Sequence, residues 1–538
     1  MGRIGIDVGG THTDGVLIEN NEIINKVKVL TYHENLFESL IDVFNKLTIN
    51  FNGKLEKITL SSTLATNLIV EKKLPPTGLI ISGGPGLKLE YLTIGDYSFI
   101  IEGAIDHRGR EIRPLNLEKI GEIVDELTKN GIKTCAVATK FSVRNPSHEL
   151  KIKEKIEPFF ENVTCGHNIS GNLNFPRRIN TSYLNSAIFM ENKKFITSIK
   201  DFLLKKKISS PIYFLKADGG TFILNDAYNK PIYTLLSGQS AGVIGIMSLI
   251  DIEEKCSCVI DIGGTSSDFS IFYKNLPLFE PEGIKIDEYL TNVRSIYTKS
   301  IGLGGDSLIK IEGNRIIIGP ERKDVAIAFG GKYLTPTDVV LYLKGENKKA
   351  EKVIFDYAEK LKIRPKEFCE NVMKIFANKI EETIKGIVKE LNSKPVYTIK
   401  EIIEQEKFEI NKIYLMGAPS YNFKEFLEKY LKIPMEVVPH YDVVNAIGVG
   451  VSKNTYELNL FADTTVGRLV ISERDFSKSI DKKFNVNQSV KIIEEFFKGN
   501  DYEIVELLEF NVIKGFFTAG KTIRIKAQIK PGVEIYLK

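Results

Sequence analysis

The chain contains 538 residues, 43% of them hydrophobic, so it can bury large cores and is too long for one ordinary domain. Its 73 basic and 69 acidic residues give a net charge of +4 without a basic block, which does not indicate a nucleic-acid partner. The five cysteines lack the spacing of a zinc or redox motif and favour a reducing compartment. The chain starts without an apolar signal segment, and no apolar run reaches the roughly 18 residues of a membrane span. We therefore expect a soluble, cytoplasmic protein with no membrane association.

Strand-like and helix-like patterns alternate through the first half of the chain. The sequence predicts strands at residues 3–8, 15–19, 23–29, 134–138 and 211–215. Helical spacing or helix-start residues predict helices at 35–47, 62–73, 117–128, 177–206 and 240–250. Such alternation is typical of an α/β protein.

The second half begins with another strand–turn–strand segment at 258–272. Pro365 opens a long helix whose apolar stripe is Phe368, Val372, Phe376, Ile380, Ile384, Ile387 and Leu391. A strand at 413–416 and a helix of small residues at 443–452 follow. Beyond residue 456 the pattern changes, because 522–529 alternates apolar and polar residues and 533–537 looks similar. We expect a small β-rich C-terminal region there.

One segment of the chain is nearly repeated. Residues 4–18 read IGIDVGGTHTDGVLI, and residues 258–272 read CVIDIGGTSSDFSIF. Asp7, Gly9, Gly10, Thr11 and Asp14 recur at one constant offset as Asp261, Gly263, Gly264, Thr265 and Asp268. The constant register indicates two similar half-molecules that present matching turns to a common cleft.

These two turns have the residues that a phosphate and its metal need. Glycines at a tight hairpin turn aim successive backbone N–H groups into a concavity for anionic oxygens, and the threonine adds a hydroxyl. The aspartate that ends the incoming strand offers oxygen ligands to a hard cation such as Mg²⁺. One such turn is explained equally well by hairpin geometry alone. The matched pair favours phosphate binding.

The pattern D-x-G-x-T with its downstream partners resembles the actin, sugar kinase and Hsp70 ATPase superfamily. Residues 237–242 (SGQSAG) and 442–450 resemble its two connecting helices, where small residues let the helices cross closely, and 416–419 (MGAP) resembles its adenosine loop. The resemblance implies an α/β fold of duplicated actin/Hsp70-like (ribonuclease H-like) ATPase lobes around a nucleotide cleft, with the small β-rich appendage at the C-terminus. We expect an N-terminal lobe at 1–180 with a substrate-side insertion, a second lobe at 181–455 and the appendage at 456–538.

A more specific resemblance is to the hydantoinase/oxoprolinase family, in particular the A subunit of ATP-dependent hydantoinases. It rests on the two acidic turns and on STLATN at 62–67, DHRG at 106–109, NPSHE at 145–149, residues 235–245 and TPTD at 335–338, all in the family's order. The resemblance covers roughly residues 1–452. The chain departs from the family pattern at Gln239 and Ser240, at Asp306 in the glycine loop, and at Ala418 in the adenosine loop.

The resemblance implies ATP and Mg²⁺ as cofactors. Asp7 and Asp261 would orient the metal through waters, and Asp14 and Asp268 would either close the hairpins by side-chain hydrogen bonds, which we favour, or act in catalysis. The nucleotide-binding set would be Gly9, Gly10, Thr11, His12, Thr13, Gly263, Gly264, Thr265, Ser266, Gly304, Gly305 and Gly417, with the last three along the nucleoside.

The substrate side is implied by resemblance alone, as Thr63, Thr66, Asn67, Asp106 and Arg108. Arg108 would pair either with a substrate carboxylate or with Asp106. Asp218, after a predicted strand, either contributes to the cleft or caps a plain turn, which we favour. The remaining histidines, His33, His107, His148, His167 and His440, fit structural or surface roles.

The implied reaction is ring-opening hydrolysis of a small cyclic amide such as a hydantoin or 5-oxoproline, after ATP phosphorylates the amide oxygen. The chain has no hydrolytic triad or metal-cluster spacing, and the family's ring hydrolysis is associated with a B-type subunit, so we expect such a partner. Homo-oligomerisation stays open. The alternatives are a small-molecule kinase, an acetone carboxylase-like subunit, or an ATP-driven regulatory or chaperone-like protein.

Overall fold

The computed structural model describes residues 1–32, 34–280, 282–393 and 407–537, so His33 lies outside the described residues. The strands are β1 Gly2–Val8, β2 His12–Glu19, β3 Glu22–Leu30, β4 Leu55–Ser62, β5 Gly78–Ser82, β6 Ser98–Ile100, β7 Ala104–Ile105, β8 Glu111–Arg113, β9 Thr134–Thr139, β10 Asn162–Cys165, β11 Ile212–Leu215, β12 Thr221–Ile223, β13 Cys256–Ile262, β14 Ser267–Tyr273, β15 Leu276–Pro277, β16 Phe279–Glu280, β17 Lys285–Ile286, β18 Tyr289–Leu290, β19 Ser295–Ile296, β20 Thr298–Ile301, β21 Ile309–Glu312, β22 Arg315–Ile318, β23 Lys412–Met416, β24 Met435–Val437, β25 Glu457–Asp463, β26 Arg468–Ile471, β27 Phe476–Ser479, β28 Glu503–Lys514 and β29 Phe517–Gln528. The helices are α1 Leu36–Thr48, α2 Leu64–Val70, α3 Ile120–Lys129, α4 Ser147–Ile156, α5 Gly166–Ile169, α6 Phe175–Lys206, α7 Leu224–Asn229, α8 Ser237–Leu249, α9 Pro336–Leu343, α10 Glu351–Lys360, α11 Pro365–Ser393, α12 Ser420–Leu431, α13 Val444–Val451 and α14 Val486–Phe497.

The first sheet has the order β12-β11-β4-β1-β2-β3. Its centre is the antiparallel hairpin β1–β2, and β4 and β11 run parallel to β1 on the other side. Ile4 and Ile6 of β1 are fully buried against α1 and α6 side chains, because alternate residues of a central strand face a covered side of the sheet. The carboxyl ends of β1, β4 and β11 therefore meet at one edge.

The second sheet repeats this arrangement at its centre. Its order is β15-β14-β13-β23-β24, with β13–β14 as the antiparallel hairpin and β23 and β24 parallel to β13. The stripe predicted on the helix that starts at Pro365 is confirmed, since all of its apolar residues lie in the core beside this sheet. The protein is thus a mixed α/β structure with two similarly built sheets.

Helices α8 and α13 cross between the two sheets. A Cβ added at Gly448 would overlap the carbonyl oxygen of Ala241, and one added at Gly245 would overlap that of Val444. Only glycine allows the two backbones to approach so closely. The predicted close crossing of small-residue helices is confirmed.

Besides four two-stranded sheets, the described residues form two further, larger sheets. The parallel sheet β10-β9-β5-β6 lies within residues 78–165 and packs on α6, α3 and α4. Near the C-terminus, the antiparallel sheet β27-β26-β25-β29-β28 packs against α14. None of the helices in the described ranges combines the length and apolar character needed to cross a bilayer.

Two sequence-based expectations, one strand and one boundary, differ from the observed secondary structure. Residues 533–537 do not form the expected strand; Val533 makes a single bridge to Ser452, and the segment runs beside α8 and α13. The boundary expected between residues 180 and 181 falls inside α6, while the first sheet continues to Ile223.

Candidate functional site

The two acidic turns have the same geometry. The amide of Gly9 donates to the carbonyl of His12 at 3.1 Å, and the amide of Gly263 donates to that of Ser266 at 2.9 Å. In each hairpin the two aspartates are cross-strand neighbours, Asp7 with Asp14 and Asp261 with Asp268. Gly10 and Thr265 are exposed at the two turns. Each turn therefore presents an exposed residue beside two neighbouring carboxylates.

Asn445, at the start of α13, connects the two sheets at this point. Its Nδ2 donates to Asp261 Oδ2 at 3.2 Å, and its amide also acts on the Asp7 carboxylate, whose pKa it lowers against the larger effect of burial. Asp7 accepts a second hydrogen bond from the Ser61 hydroxyl at the end of β4. The sequence analysis missed Asn445 and Ser61. The available signal for Asn445 was a lone amide in a helix of otherwise small apolar residues.

The carboxylates of the two hairpins form one electrostatic cluster. Burial raises the pKa of Asp14 to about 7, against the charge of Lys28, and the charges of Asp7 and Asp261 add to the increase. Burial and the charge of Asp261 raise the pKa of Asp268 to about 7. The pKa values of Asp7 and Asp261 are also raised, mainly by burial. A divalent cation would offset this accumulation of negative charge.

The side chains present fit Mg²⁺ held through waters. The donor set consists of oxygens, which this hard cation prefers. Asn445 Oδ1 and Asp14 Oδ1 are buried and have no hydrogen-bond partner among the described residues. Such orphaned acceptors beside two carboxylates suit the hydrogens of metal-bound waters.

Two cations flank the first turn. Arg322 donates to Thr11 Oγ1 at 3.1 Å and to Asp306 Oδ2 at 3.2 Å, so it joins the first turn to the glycine loop at residues 302–306. Lys28 Nζ lies 2.8 Å from Asp14 Oδ2. Burial, with the charges of Lys28 and Arg322, lowers the pKa of His12 to about 4. The sequence analysis missed both cations, since neither lies in a turn motif.

The glycine loop packs directly on the second turn. The amide of Gly305 donates to the carbonyl of Gly263 at 2.9 Å, and a Cβ at Gly304 would come within 2.5 Å of Gly264 O. Gly417 has φ +91°, and a Cβ there would lie 2.5 Å from Asp261 Oδ1. These three glycines thus lie beside the second turn, and their place along a nucleoside stays a prediction.

The first turn of α8 reaches both hairpins. Gln239 Nε2 donates to Asp268 Oδ1 at 3.0 Å, and a Cβ at Gly238 would lie 3.6 Å from Asp7 Oδ1. Asp14 and Asp268 do make side-chain hydrogen bonds, but with neighbouring elements: Asp14 with Lys28 on β3, and Asp268 with Gln239 on α8. Whether they serve as hairpin-closing or as catalytic groups stays a prediction. Gln239 ties α8 to the second hairpin because its amide can both donate and accept.

Thr13 does not face the cleft. Its side chain is fully buried, and its hydroxyl pairs with that of Thr31 at 3.0 Å. Its position one residue beyond the turn, where the strand has resumed, points it into the sheet interior. We therefore remove Thr13 from the nucleotide-contact set.

Three of the substrate-side residues lie near the first turn. Thr63 donates from its amide to the carbonyl of Val8 at 3.2 Å, and Asn67 Nδ2 donates to Thr63 Oγ1 at 3.4 Å. Thr66 Oγ1 accepts from the amide of Leu236, next to the start of α8, at 3.0 Å. These contacts place α2 between the first turn and α8.

Arg108 and Asp106 have other partners. The Arg108 guanidinium binds the buried Asp463 of the C-terminal sheet with contacts of 2.8–3.0 Å. Asp106 accepts from the Arg108 amide at 2.9 Å and pairs its carboxylate with the side chain of Arg110. The alternative in which the Arg108 side chain pairs with Asp106 is wrong. Arg108 therefore links the loop between β7 and β8 to the C-terminal sheet. Its guanidinium, which was expected to bind substrate, is occupied by this ion pair.

The histidine expectations hold for the described residues. His107 and His440 are exposed, whereas His148 and His167 are buried and paired with carboxylates. His167 lies between Glu149 and Asp475, which already bond both of its ring nitrogens, so this cluster is an ion-paired contact to the C-terminal region and needs no metal. Burial opposes its protonation, but the two carboxylates raise the pKa of His167 to about 9.

Comparison with known proteins decides the family. The sequence profile of the hydantoinase/oxoprolinase N-terminal region matches residues 3–159, and that of hydantoinase/oxoprolinase matches residues 178–458. The chain belongs to the hydantoinase/oxoprolinase family.

Relatives of this family member are distant. An uncharacterized protein of Methanocaldococcus jannaschii is 23% identical over 95% of this chain and 79% of its own length. The acetophenone carboxylase gamma subunit of Aromatoleum aromaticum is 24% identical over 64% of this chain and 53% of its own length. The caprolactamase subunit alpha of Pseudomonas jessenii is 23% identical over 63% and 54%, so the chain spans about half the length of these two named relatives.

The fold is shared with a solved relative. The crystal structure of the ATP-dependent caprolactamase from Pseudomonas jessenii superposes with a TM-score of 0.70 at 16% identity, over 99% of this chain and 88% of that chain. At this identity the likeness establishes the fold alone.

Proposed function

We propose that the protein is an ATP-dependent enzyme that opens a small cyclic amide, using duplicated actin/Hsp70-like lobes around a nucleotide cleft. The observation that carries the proposal is the pair of matched acidic turns from two similarly built sheets, joined through Asn445. Family membership supports the amide class, since hydantoins and 5-oxoproline are both cyclic amides. The caprolactam of the caprolactamase relative is another.

The turns would hold the triphosphate end of ATP. The backbone N–H groups of Gly10 and Gly264, with the hydroxyls of Thr11 and Thr265, would bind β- and γ-phosphate oxygens. Arg322, which already reaches Thr11, would add a charge-assisted contact to the same oxygens. Asp7 and Asp261 would hold Mg²⁺ through waters, and the ion would neutralise charge on the phosphates during transfer.

The chemistry proceeds in two steps. The amide oxygen attacks the γ-phosphorus, the bond to the β–γ bridging oxygen breaks, and ADP leaves. In the second step water adds to the amide carbon, the ring C–N bond breaks as nitrogen takes a proton, and a second water hydrolyses the resulting acyl phosphate to carboxylate and phosphate. The protein's part in the first step is positioning and charge stabilisation.

A partner subunit would supply the second step. Both named relatives are subunits of larger enzymes. The tip of the β28–β29 hairpin carries the exposed apolar side chains Phe510, Ile513, Phe516 and Phe517. Exposed apolar patches of this kind mark protein contacts, so we assign the tip to a B-type subunit. Replacing Phe516 and Phe517 by serine should abolish co-purification with that subunit, and unchanged co-purification would exclude this surface.

A carboxylase-type reaction is the second candidate, because one relative is an acetophenone carboxylase subunit. Phosphorylation of a carbonyl oxygen would begin either reaction. Water then attacks the activated carbon of an amide, whereas in a carboxylation the carbon beside the ketone attacks carbon dioxide formed from bicarbonate. Phosphate release from ATP should be measured with hydantoin, 5-oxoproline, caprolactam, and acetophenone with bicarbonate, with and without a co-purified partner. Stimulation by a cyclic amide supports the proposal, whereas stimulation only by the ketone with bicarbonate replaces it.

A further inference from the structure

A cavity lies where three parts of the chain meet. Its volume is about 140 Å³. The three parts are Lys216 and Asp218 after β11, Asn292 between β18 and β19, and Thr455 before the C-terminal sheet. A cavity for a single water has a volume of about 10–15 Å³ on this scale, so this cavity has room for a small organic molecule and not for a nucleotide. The rings of Tyr233 and Tyr456 also line it and offer apolar contact to such a molecule.

Two buried polar side chains in this cavity lack partners. Asn292 is 6% exposed, and neither its Oδ1 nor its Nδ2 has a hydrogen-bond partner among the described residues. Thr455 is 3% exposed, and its hydroxyl likewise has no hydrogen-bond partner among the described residues. An unpaired buried carboxamide costs about 1–3 kcal/mol for each unmet group, so its retention calls for a ligand or ordered water that completes it.

The Asn292 cavity lies on the same edge of the first sheet as the first acidic turn. β11 and β1 are parallel and separated only by β4, so Lys216 follows a strand end that is about 10 Å from the end of β1. Ligands of open α/β sheets bind at this carboxyl edge. A molecule in the cavity would therefore lie at the edge of the sheet that also carries the first turn.

Two short connections join the cavity to the acidic cluster. The Ser240 hydroxyl, in the first turn of α8, donates to the carbonyl of Ala217, and the same helix turn contacts Asp7 and Asp268. Along the chain from Asn292, the amide of Ile296 donates to Ala217 O at 3.0 Å, and Thr298 Oγ1 donates to Gln239 Oε1 at 2.7 Å. The cavity wall and the hairpins are thus parts of one bonded framework.

We propose that the Asn292 cavity binds the cyclic amide and that the Asn292 carboxamide recognises its amide group by two hydrogen bonds. This rests on the proposed function. In a small ring the amide is held cis, so N–H and C=O point to the same side and match the C=O and NH₂ of one asparagine. An open-chain secondary amide is trans and presents these groups on opposite sides. The carbonyl oxygen of the cyclic amide has two lone pairs. When one accepts from the Asn292 NH₂ group, the other remains free to attack the γ-phosphorus of ATP.

The test compares two lactams that differ in one group. Binding of 2-pyrrolidinone and of N-methyl-2-pyrrolidinone to the full chain is measured by calorimetry with Mg²⁺ and a non-hydrolysable ATP analogue. The N-methyl compound cannot donate, so the wild type should bind 2-pyrrolidinone at least about tenfold more tightly. Asn292→Ala should reduce that ratio to about one and leave affinity for the ATP analogue within about twofold. The exposed Asn45→Ala serves as the matched control and should keep the wild-type ratio.

The outcomes separate this proposal from the proposed function. If Asn292→Ala keeps the wild-type preference, the cavity assignment is overturned, while stimulated phosphate release by the same lactam would retain the function. Binding that depends on Asn292 without stimulated phosphate release supports the cavity and removes the function. Failure of the wild type to bind 2-pyrrolidinone, or equal binding of both lactams, overturns the assigned recognition. Unchanged affinity for the ATP analogue in Asn292→Ala shows that the variant is folded.

Discussion

Asn445 is the residue on which the link between the two hairpins depends, and Asn445→Ala tests it. The substitution deletes the 3.2 Å hydrogen bond to Asp261 and the influence of the amide on Asp7 while leaving the Ser61 contact in place. A hydrogen bond to a charged group contributes about 1.5–3 kcal/mol. Because each 1.4 kcal/mol is tenfold, loss of one such bond should weaken Mg²⁺-dependent nucleotide binding by about tenfold to a hundredfold.

The assay is calorimetric titration of a non-hydrolysable ATP analogue with Mg²⁺ and, separately, with EDTA. We expect the variant to lose most of the gain in affinity that Mg²⁺ confers on the wild type, with little change in the metal-free affinity. Asn45→Ala, on the exposed face of α1, is the matched control and should behave as wild type. An Asn445→Ala protein that keeps the full Mg²⁺-dependent gain would refute the reasoning, since Asn445 would then not position the two carboxylates for the ion.

Three further predictions concern charge, pH and packing. Arg322→Ala should weaken binding of the ATP analogue by about tenfold, with Arg322→Lys intermediate because lysine keeps the charge but not the fork; equal affinity in all three would exclude a phosphate contact. The folded-state pKa of His167 is raised from 6.5 to about 9, so its ion pairs stabilise the fold fully below pH 6.5, and about 3 kcal/mol of the free energy of unfolding should be lost as pH rises through 9. Urea titrations of wild type and His167→Gln at pH 6 and 9.5 check this, and parallel pH profiles would contradict it. Gly448→Ala should lower the free energy of unfolding by at least about 1–3 kcal/mol, because its Cβ would overlap Ala241 O, whereas Gly386→Ala on the open face of α11 should be neutral or stabilising; equal urea midpoints would show that α8 and α13 can separate freely.

Local patterns in the sequence were enough for much of the fold. The matched turns, the long helix from Pro365 and the small-residue helices were all predicted and are all present. Each depends on neighbours in the chain: glycine at a tight turn, apolar residues at helical spacing, and small side chains where backbones cross. The predicted strand at 533–537 failed for the complementary reason, because a short apolar alternation is bonded there by helix ends and not by another strand.

The sequence by itself thus determined the family, the two acidic turns and the elements that carry them, because these are read from residues close together in the chain. Only the tertiary structure decided which distant side chains meet. It joined Asn445 to both aspartates, aimed Arg322 at Thr11, took Arg108 into an ion pair with Asp463, and enclosed the unpaired Asn292 in a cavity. The physical reason is that hydrogen bonds and ion pairs depend on separations of about 3 Å in space, and no spacing along a chain of this length encodes them.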